Sequence, residues 1–485
     1  MNKNINKKVI VYGIIILFFG ITLVPLSNAG VNKKTLTNTI SETPESPINS
    51  VNSIYKLLII APSTFVDELK PLVSHKNNVG VSTRLVTLRE VYDQMYWHGR
   101  DTAEKIKYYI KTAIEEWGIE YVLLVGGMKG QLPIWYLPVR YVYIDCDWEN
   151  RVISDMYYAD IYDSEGNFSS WDSDGDGIFG EWYYGEVPED RYIDLYPDVA
   201  LGRLPCRNKF EVKIMVKKII KYETTTYGKE WFYDMIVAAG DTYPVSDNPL
   251  WIGNEGEYYG DRALENMTGF NPVRLYTSDG SLSGPADVRD AVRNGAGFLY
   301  FVGHGNPKVW GNNPPDSHDI VRGLTTNNVH RLRNKEKLPV CVLSGCHDLQ
   351  FDVSIFKTFN QTARYHGENA FESLGWRLTR KIGGGSIATL GCTALGFTKE
   401  DKVSFDGGIN ELEVEFFKQY GQNNVEILGD AWKAALEWYI DTYPASDDDW
   451  ENAIYPDDVW VDIQIPQTWI LFGDPSLKIG GYPQE

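Results

Sequence analysis

Short apolar runs alternate with amphipathic stretches along most of this 485-residue chain. The runs YKLLIIAP (55–62), STRLVTL (82–88), YVLLVGG (121–127) and VALGRLPC (199–206) are seven or eight residues long, and all but STRLVTL end in small residues or proline. That is the pattern of buried parallel strands. Between them, DTAEKIKYYIKTAIEEWG (101–118) has helical spacing, with Asp101 placed to cap its start and Gly118 to stop it. NKFEVKIMVKKIIKYE (208–223) is a second such helix. A new series begins near residue 231: MIVAAGD (235–241), PVRLYTS (272–278), the helix PADVRDAVRNG (285–295), AGFLYFVGHG (296–305), LPVCVLSGC (338–346), GGSIATLGC (384–392), a helix near 425–440, and TWILFGDPSLKI (468–479). Strands alternating with helices predict an α/β fold with mostly parallel sheets flanked by helices. The pattern divides the chain into two α/β lobes, 54–230 and 231–481. A loop-rich acidic and aromatic insertion interrupts the first lobe at about 133–200.

Two of the runs end on reactive side chains. One delivers His304 between Gly303 and Gly305, and the other delivers Cys346 after Ser344 and Gly345. Ligands of α/β sheets gather outside the carboxyl ends of strands, so neighbouring strands would aim both groups at one spot. A thiolate there is a nucleophile, and an imidazole beside it exchanges the proton that the chemistry needs. The main-chain N–H groups of Gly305 and Cys346 are the natural donors to an oxyanion. Taken singly, a histidine in a tight turn is a turn residue and a buried cysteine is core. The order His then Cys, both at strand ends, favours catalysis. His347 is a rival partner that adjacent-residue alternation sends to the opposite face. A zinc site built from His304, Cys346, His347 and Asp348 lacks the ligand spacing of zinc hydrolases.

Charge and composition narrow the setting. The formal net charge of −20 opposes a nucleic-acid surface. Lys3, Lys7 and Lys8 precede an apolar stretch (9–26) and the small residues Ser27 and Ala29. This is the plan of a secretory signal peptide covering 1–29 with cleavage near Ala29, and it competes with an uncleaved membrane anchor. Residues 30–53 have the composition of a flexible leader. The sequence therefore predicts a secreted or cell-surface protein, free of the membrane once the signal is removed, and leaves its oligomeric state open. Five cysteines leave at least one thiol unpaired in a monomer. Cys146 and Cys206 can be paired or free; Cys341 reads as core.

The stretches YVLLVGG, SDMYYAD, ALGRLPC, YFVGHGNPKVWG, LPVCVLSGC and LFGDPSLKI occur here in an order that resembles the gingipain-type cysteine peptidases of the caspase-like clan. The resemblance runs from about residue 55 to 479. It implies a caspase-like fold, protein or peptide substrates, Cys346 as nucleophile and His304 as its partner. It also implies that Asp241 orients the histidine, in a place where gingipains carry Glu. Glu257, with Asp261 close by, falls where arginine-specific members read a basic side chain before the cleaved bond. A carboxylate pairs bidentately with a guanidinium, which would direct cleavage after Arg or Lys. As a solvated carboxylate in the first turn of a helix, Glu257 would be equally at home. The alternative for the whole chain is a surface binding or scaffold protein that kept the fold and lost turnover.

WDSDGDGIFGEW (171–182) opens like a calcium loop, with Asp172, Asp174 and Asp176 alternating before Gly177. The main chain of Ile178 falls at the next ligand position. The twelfth position is Tyr183, which cannot ligate as a carboxylate, so Glu181 is expected to close the site. A structural Ca2+ that stiffens the insertion is the expectation, and no organic cofactor is implied. A further acidic stretch, 446–460, reads as a solvated loop. The glycines at 383–385 precede their strand and lack the Lys-Ser/Thr of a phosphate loop.

Overall fold

The computed structural model describes residues 54–145, 149–183, 188–247, 251, 253–398, 407–445 and 459–483. The expected signal peptide (1–29), the leader (30–53), Cys146 and most of the acidic stretch 446–460 lie outside the described residues. Among the described residues, no helix is long and apolar enough to cross a membrane.

Ten of the apolar runs pair into a central sheet. In chain order they are β1 (Leu57–Ala61), β2 (Thr83–Thr87), β3 (Tyr121–Val125), β4 (Ala200–Leu204), β5 (Asp234–Ala239), β6 (Asn271–Tyr276), β7 (Phe298–Phe301), β8 (Val340–Leu343), β9 (Ala388–Cys392) and β10 (Trp469–Phe472). Across the sheet the order is β6-β5-β7-β8-β9-β10-β4-β3-β1-β2. Every neighbouring pair is parallel except β9 with β10. The two series of the sequence are thus two parallel half-sheets of opposite direction, joined at one antiparallel seam. The closing strand β10 returns to the N-terminal half and makes the join. Because the halves oppose each other, the carboxyl ends of β5, β7 and β8 share one edge of the sheet, and those of β1 to β4 lie on the other.

The helices follow local rules. Asp101 accepts the Glu104 N–H at 2.8 Å to start the helix Thr102–Trp117, and Gly118 ends it in the left-handed region at φ 68°. Asn208 does the same for Lys209–Thr225, accepting from Glu211 at 3.0 Å. The helix Ile409–Gly421 escapes a reading by apolar period because Glu411, Glu413 and Glu415 are all buried within it. Two of them are partnered from elsewhere in the chain, Glu411 by Arg262 and Glu413 by the Tyr300 hydroxyl at 2.5 Å, and Glu415 is partnered within the helix by Lys418 and Gln419. Pairing of that kind is what makes a buried carboxylate tolerable.

Several of the family-like stretches prove to be packing devices. Arg203 (ALGRLPC) is fully buried and grips Asp155 (SDMYYAD) through two bonds of 2.6 and 2.7 Å. Its third nitrogen donates to the carbonyl of Gly126 (YVLLVGG) at 3.2 Å. Three distant stretches therefore meet on one guanidinium. Asp474, in the closing GDPS, lies 2.9 Å from the buried ammonium of Lys76 as an ion pair, and Glu223 accepts from the same ammonium at 2.8 Å. These contacts tie the C-terminus to the first helix of the chain (Val66–Asn78).

Candidate active site

Sheet register places the chemistry. Phe301 of β7 pairs with Leu343 of β8 on one side and with Ala238 of β5 on the other. Counting three residues onward from each member of that row gives His304, Cys346 and Asp241. All three stand beyond the same edge, on adjacent strands. Each run ends in small residues, so the chain can turn there without bulk.

The loops that follow β7 and β8 touch through their glycines. A Cβ on Gly345 would lie 2.8 Å from the nitrogen of Gly305 and 2.5 Å from a carboxyl oxygen of Asp348. A Cβ on Gly305 would also collide with the Asp348 carboxyl. Asp348 is fully buried between them, and neither of its oxygens has a hydrogen-bond partner among the described residues. Burial pushes its carboxyl well above the usual range.

The His304 ring is partly exposed, and its Nε2 lies 2.8 Å from the carbonyl oxygen of Thr242. Tyr243 meets the ring edge-on with centroids 5.9 Å apart. Burial lowers the imidazole pKa, and the Thr242 carbonyl acts the other way. The Cys346 sulfur receives the N–H of Gly396 at 3.4 Å. Burial pushes its thiol up to about 11, opposed by the Gly396 N–H and reinforced by Glu149 and Asp348. The resting pair is therefore a neutral thiol and a neutral imidazole. Among the described residues, no hydrogen bond joins the two side chains.

The expected contact between Asp241 and His304 is not made. The Asp241 carboxylate accepts main-chain N–H groups instead, from Asn254 at 3.2 Å and Asp316 at 2.5 Å. It fixes the turn from which Thr242 presents its carbonyl, and the imidazole's partner is that carbonyl. Thr242 carries no sequence signal, since the contact is made by main chain. Glu257 stands in the first turn of the helix Glu255–Asn266, buried, with its oxygens taken by the Ser278 N–H at 3.0 Å and the Ser278 hydroxyl at 2.6 Å. Asp261, one turn further on, pairs with Arg274 at 2.8 Å and accepts from the Tyr276 hydroxyl at 2.9 Å. His347 has the left-handed φ of 59° and its Nε2 lies 3.0 Å from the carboxylate of Glu149. Glu149 comes from the insertion and also accepts the N–H of Leu395, next to Gly396, at 2.9 Å. Nothing in the sequence around Glu149 marks this role.

In the acidic loop, one oxygen each of Asp172, Asp174 and Asp176 lie within 4.8 Å of one another, and those of Asp174, Glu181 and Glu189 do the same. Asp174 belongs to both groups. Glu189 was not among the expected ligands, because it follows a segment whose return to the loop no spacing rule predicts. Ile178 donates its N–H to Asp176 at 2.7 Å. Asp172 is buried, is paired with Arg100, and accepts the N–H groups of Gly175 and Gly177 at 2.7 and 3.0 Å. Of the remaining cysteines, Cys206, Cys341 and Cys392 are buried free thiols.

A mixed α/β sheet with cysteine and histidine beyond adjacent parallel strands defines a protein of caspase-like fold. The model of peptidase family C25 matches residues 50–480, and the chain belongs to that family. Gingipain R2 of Porphyromonas gingivalis is 21% identical over 431 residues, covering 87% of this chain and 46% of that protein. An uncharacterised protein of Archaeoglobus fulgidus is 26% identical over 281 residues, covering 53% of this chain and 63% of that one. The chain spans about half the length of the gingipain R2 it matches. Among solved structures, the Arg-specific cysteine proteinase gingipain R superimposes with a TM-score of 0.58 at 18% identity, covering 88% of this chain and 79% of that one. A complex of the pro- and mature domains of RgpB from Porphyromonas gingivalis gives 0.57 at 17% identity, covering 87% and 79%. At these identities the structural likeness is one of fold.

Proposed function

We propose that the chain is an exported cysteine endopeptidase in which Cys346 attacks the peptide carbonyl and His304 moves the proton. The observation that carries this reading is the single register row: Asp241, His304 and Cys346 stand three residues beyond paired positions on adjacent strands. Because His304 Nε2–H donates to Thr242, the lone pair of the neutral ring is on Nδ1. As Sγ bonds to the carbonyl carbon, the thiol proton passes to Nδ1. The oxyanion is received by the N–H groups of Gly305 and Cys346. The imidazolium then protonates the departing amine as the C–N bond breaks. Water, deprotonated by the same nitrogen, hydrolyses the thioester. Substrate binding excludes water from a pair that is neutral at rest, so charge separation is deferred to the transition state.

Selection of Arg or Lys before the cleaved bond is assigned to Glu257. The helix that carries it begins against the Asp241 turn: a Cβ on Gly256 would lie 2.8 Å from the Gly240 carbonyl and 3.1 Å from the Thr242 hydroxyl. A guanidinium entering there would replace Ser278 as the partner of Glu257. Asp261 is occupied by Arg274 and has no such part. The acidic loop fits a structural Ca2+ held by Asp172, Asp174 and Asp176, with Glu181 and Glu189 closing it from the second group. Two groups of three carboxylates that share Asp174 are what a divalent cation would neutralise.

The test is hydrolysis of fluorogenic peptides ending in Arg, Lys, Asn or Asp by the purified protein and by Cys346→Ala. Cleavage after Arg or Lys that Cys346→Ala abolishes is expected. Equal cleavage by the variant would remove Cys346 from the chemistry, and no cleavage by the intact protein would leave a scaffold.

A further inference from the structure

Beside the histidine hairpin lies a face that stays apolar although no described residue covers it. Phe359 is 94% exposed, Phe356 58%, Ile355 43% and Phe371 50%, and across from them Leu132 and Ile134 are 49% and 52% exposed. Hydrogen bonds lace the segments that carry them together. The Ser354 hydroxyl donates to the Gln131 carbonyl at 2.7 Å, the Ile355 N–H to the Gln131 side chain at 2.9 Å, and that side chain to the Phe371 carbonyl at 2.8 Å. Exposed apolar area on this scale marks an interaction site.

The face is continuous with both catalytic loops. Leu374 donates to the carbonyl of Pro307, three residues past His304, at 2.9 Å, and Lys308 donates to Asn369. At the far end, Lys129 donates to the Ile134 carbonyl at 2.7 Å, and beyond it opens a cleft of about 600 Å³ walled by Tyr92, Trp135, Tyr136 and Tyr141. The cleft leads back to the nucleophile segment: Trp135 meets Phe351 edge-on at 5.5 Å, and the Tyr141 hydroxyl reaches Asp352 at 3.2 Å.

Charge distinguishes the face from the rest of the chain. Segments 129–134, 306–308 and 352–371 hold Lys129, Lys308, Lys357 and Arg364 against two carboxylates, Asp352 and Glu368, a local +2 in a chain of net charge −20. Both carboxylates are turned to Lys357, at 4.0 and 2.6 Å. Lys129 and Arg364 are exposed.

We propose that this face is a docking surface for the polypeptide substrate, which selects extended chains carrying aromatic or aliphatic side chains interspersed with Asp or Glu away from the cleaved bond. This rests on the peptidase reading. Hydrogen-bonded continuity with the hairpin of His304, through Pro307 and Lys308, and covalent continuity with the segment after Cys346 favour a substrate over other occupants. The cationic rim selects the acidic residues, and the apolar centre takes the rest.

The experiment uses the full chain with Cys346→Ala and a fluorescein-labelled 20-residue peptide rich in Phe, Leu and Glu, read by anisotropy. Phe356→Ser/Phe359→Ser on that background is expected to weaken binding about tenfold, and high salt to weaken it further. In the active protein the same pair of changes should lower kcat/KM about tenfold for the long peptide and leave that for a three-residue substrate unchanged. An unchanged dissociation constant overturns the proposal. So does binding of anionic phospholipid vesicles, or a concentration-dependent dimer, that is lost in Phe356→Ser/Phe359→Ser, since either would give the face another occupant. Peptide binding by Cys346→Ala that needs Phe356 and Phe359, without cleavage by the intact protein, would sink the peptidase reading and leave the docking surface standing.

Discussion

The imidazole of His304 is held at 2.8 Å by the main-chain carbonyl of Thr242, one residue past the carboxylate of Asp241. A carbonyl can only accept, so the ring's tautomer is set without a charged partner. The Thr242 turn is braced in its place by Asn312. That side chain is fully buried and donates to the Thr242 hydroxyl at 3.1 Å and to the Val302 carbonyl at 2.9 Å. Its oxygen accepts the Asn313 N–H at 2.8 Å.

Asn312→Ala should therefore act on the chemical step through the histidine. About a tenfold fall in kcat with KM nearly unchanged is expected, with a loss of stability of about 1–3 kcal/mol for the buried groups left unpaired. Steady-state kinetics and urea melts check both. A raised KM at constant kcat would mean that Asn312 contacts substrate.

The neutral resting pair makes its own forecast. With the Cys346 thiol pushed up to about 11 and the imidazole pKa lowered, little thiolate exists at pH 7. The rate of Cys346 alkylation by iodoacetamide should climb about tenfold per pH unit from 7 to 10. A rate that is flat across that interval would show a preformed thiolate–imidazolium pair instead.

The contrast between what the sequence discloses and what it conceals follows from where each signal lives. Cys346 and His304 are legible because they end apolar runs in small residues, and a parallel sheet converts strand ends into one edge. The α/β alternation was legible for the same reason. The opposed halves were not, because the direction of β10 depends on a chain returning from far away. Asp241 was singled out only because the family resemblance implies an acid there, yet its bonds go to Asn254 and Asp316, and no pattern announces main-chain partners. Glu149 and Glu189 reach their places through loops, where neither period nor spacing constrains a side chain.

Calcium should stabilise the protein through the insertion. Millimolar Ca2+ is expected to raise the melting temperature and a chelator to lower it, with about 2.7 kcal/mol gained at a hundredfold excess over the dissociation constant. Asp174→Asn should lose most of the response, because Asp174 belongs to both carboxylate groups. A melting temperature indifferent to calcium in the unaltered protein would leave the loop a plain acidic turn.

The Arg203–Asp155 pair should be worth more broken than absent. Asp155→Ala strands a guanidinium with no exposure and is expected to cost about 3–5 kcal/mol. Arg203→Met combined with Asp155→Leu removes both charges and should destabilise much less than the single change. Urea denaturation of the two variants distinguishes the outcomes, and equal losses would mean that packing, not charge, dominates.

The buried pair of Glu149 and His347 links the insertion to the Cys346 loop, and its pH dependence is predictable in sign. Burial alone would lower the His347 pKa, but the Glu149 carboxylate outweighs it and the folded value is raised. The stabilisation is then complete below the unfolded value of about 6.5 and is lost as pH rises through the higher folded value. Glu149→Gln removes the charge and keeps the shape. The difference in unfolding free energy between the two proteins should be largest near pH 5.5 and shrink by pH 8.5. The left-handed φ of His347, which costs a non-glycine residue on the order of 1 kcal/mol, is held by its N–H bond to Ala394 at 2.7 Å and by Glu149. Leu395, bonded to the same carboxylate, precedes the Gly396 N–H that touches the sulfur. Loosening Glu149 should therefore also speed alkylation of Cys346 at pH 8. A stability difference that grows with pH would refute the ion pair, and an unchanged alkylation rate would uncouple the insertion from the nucleophile.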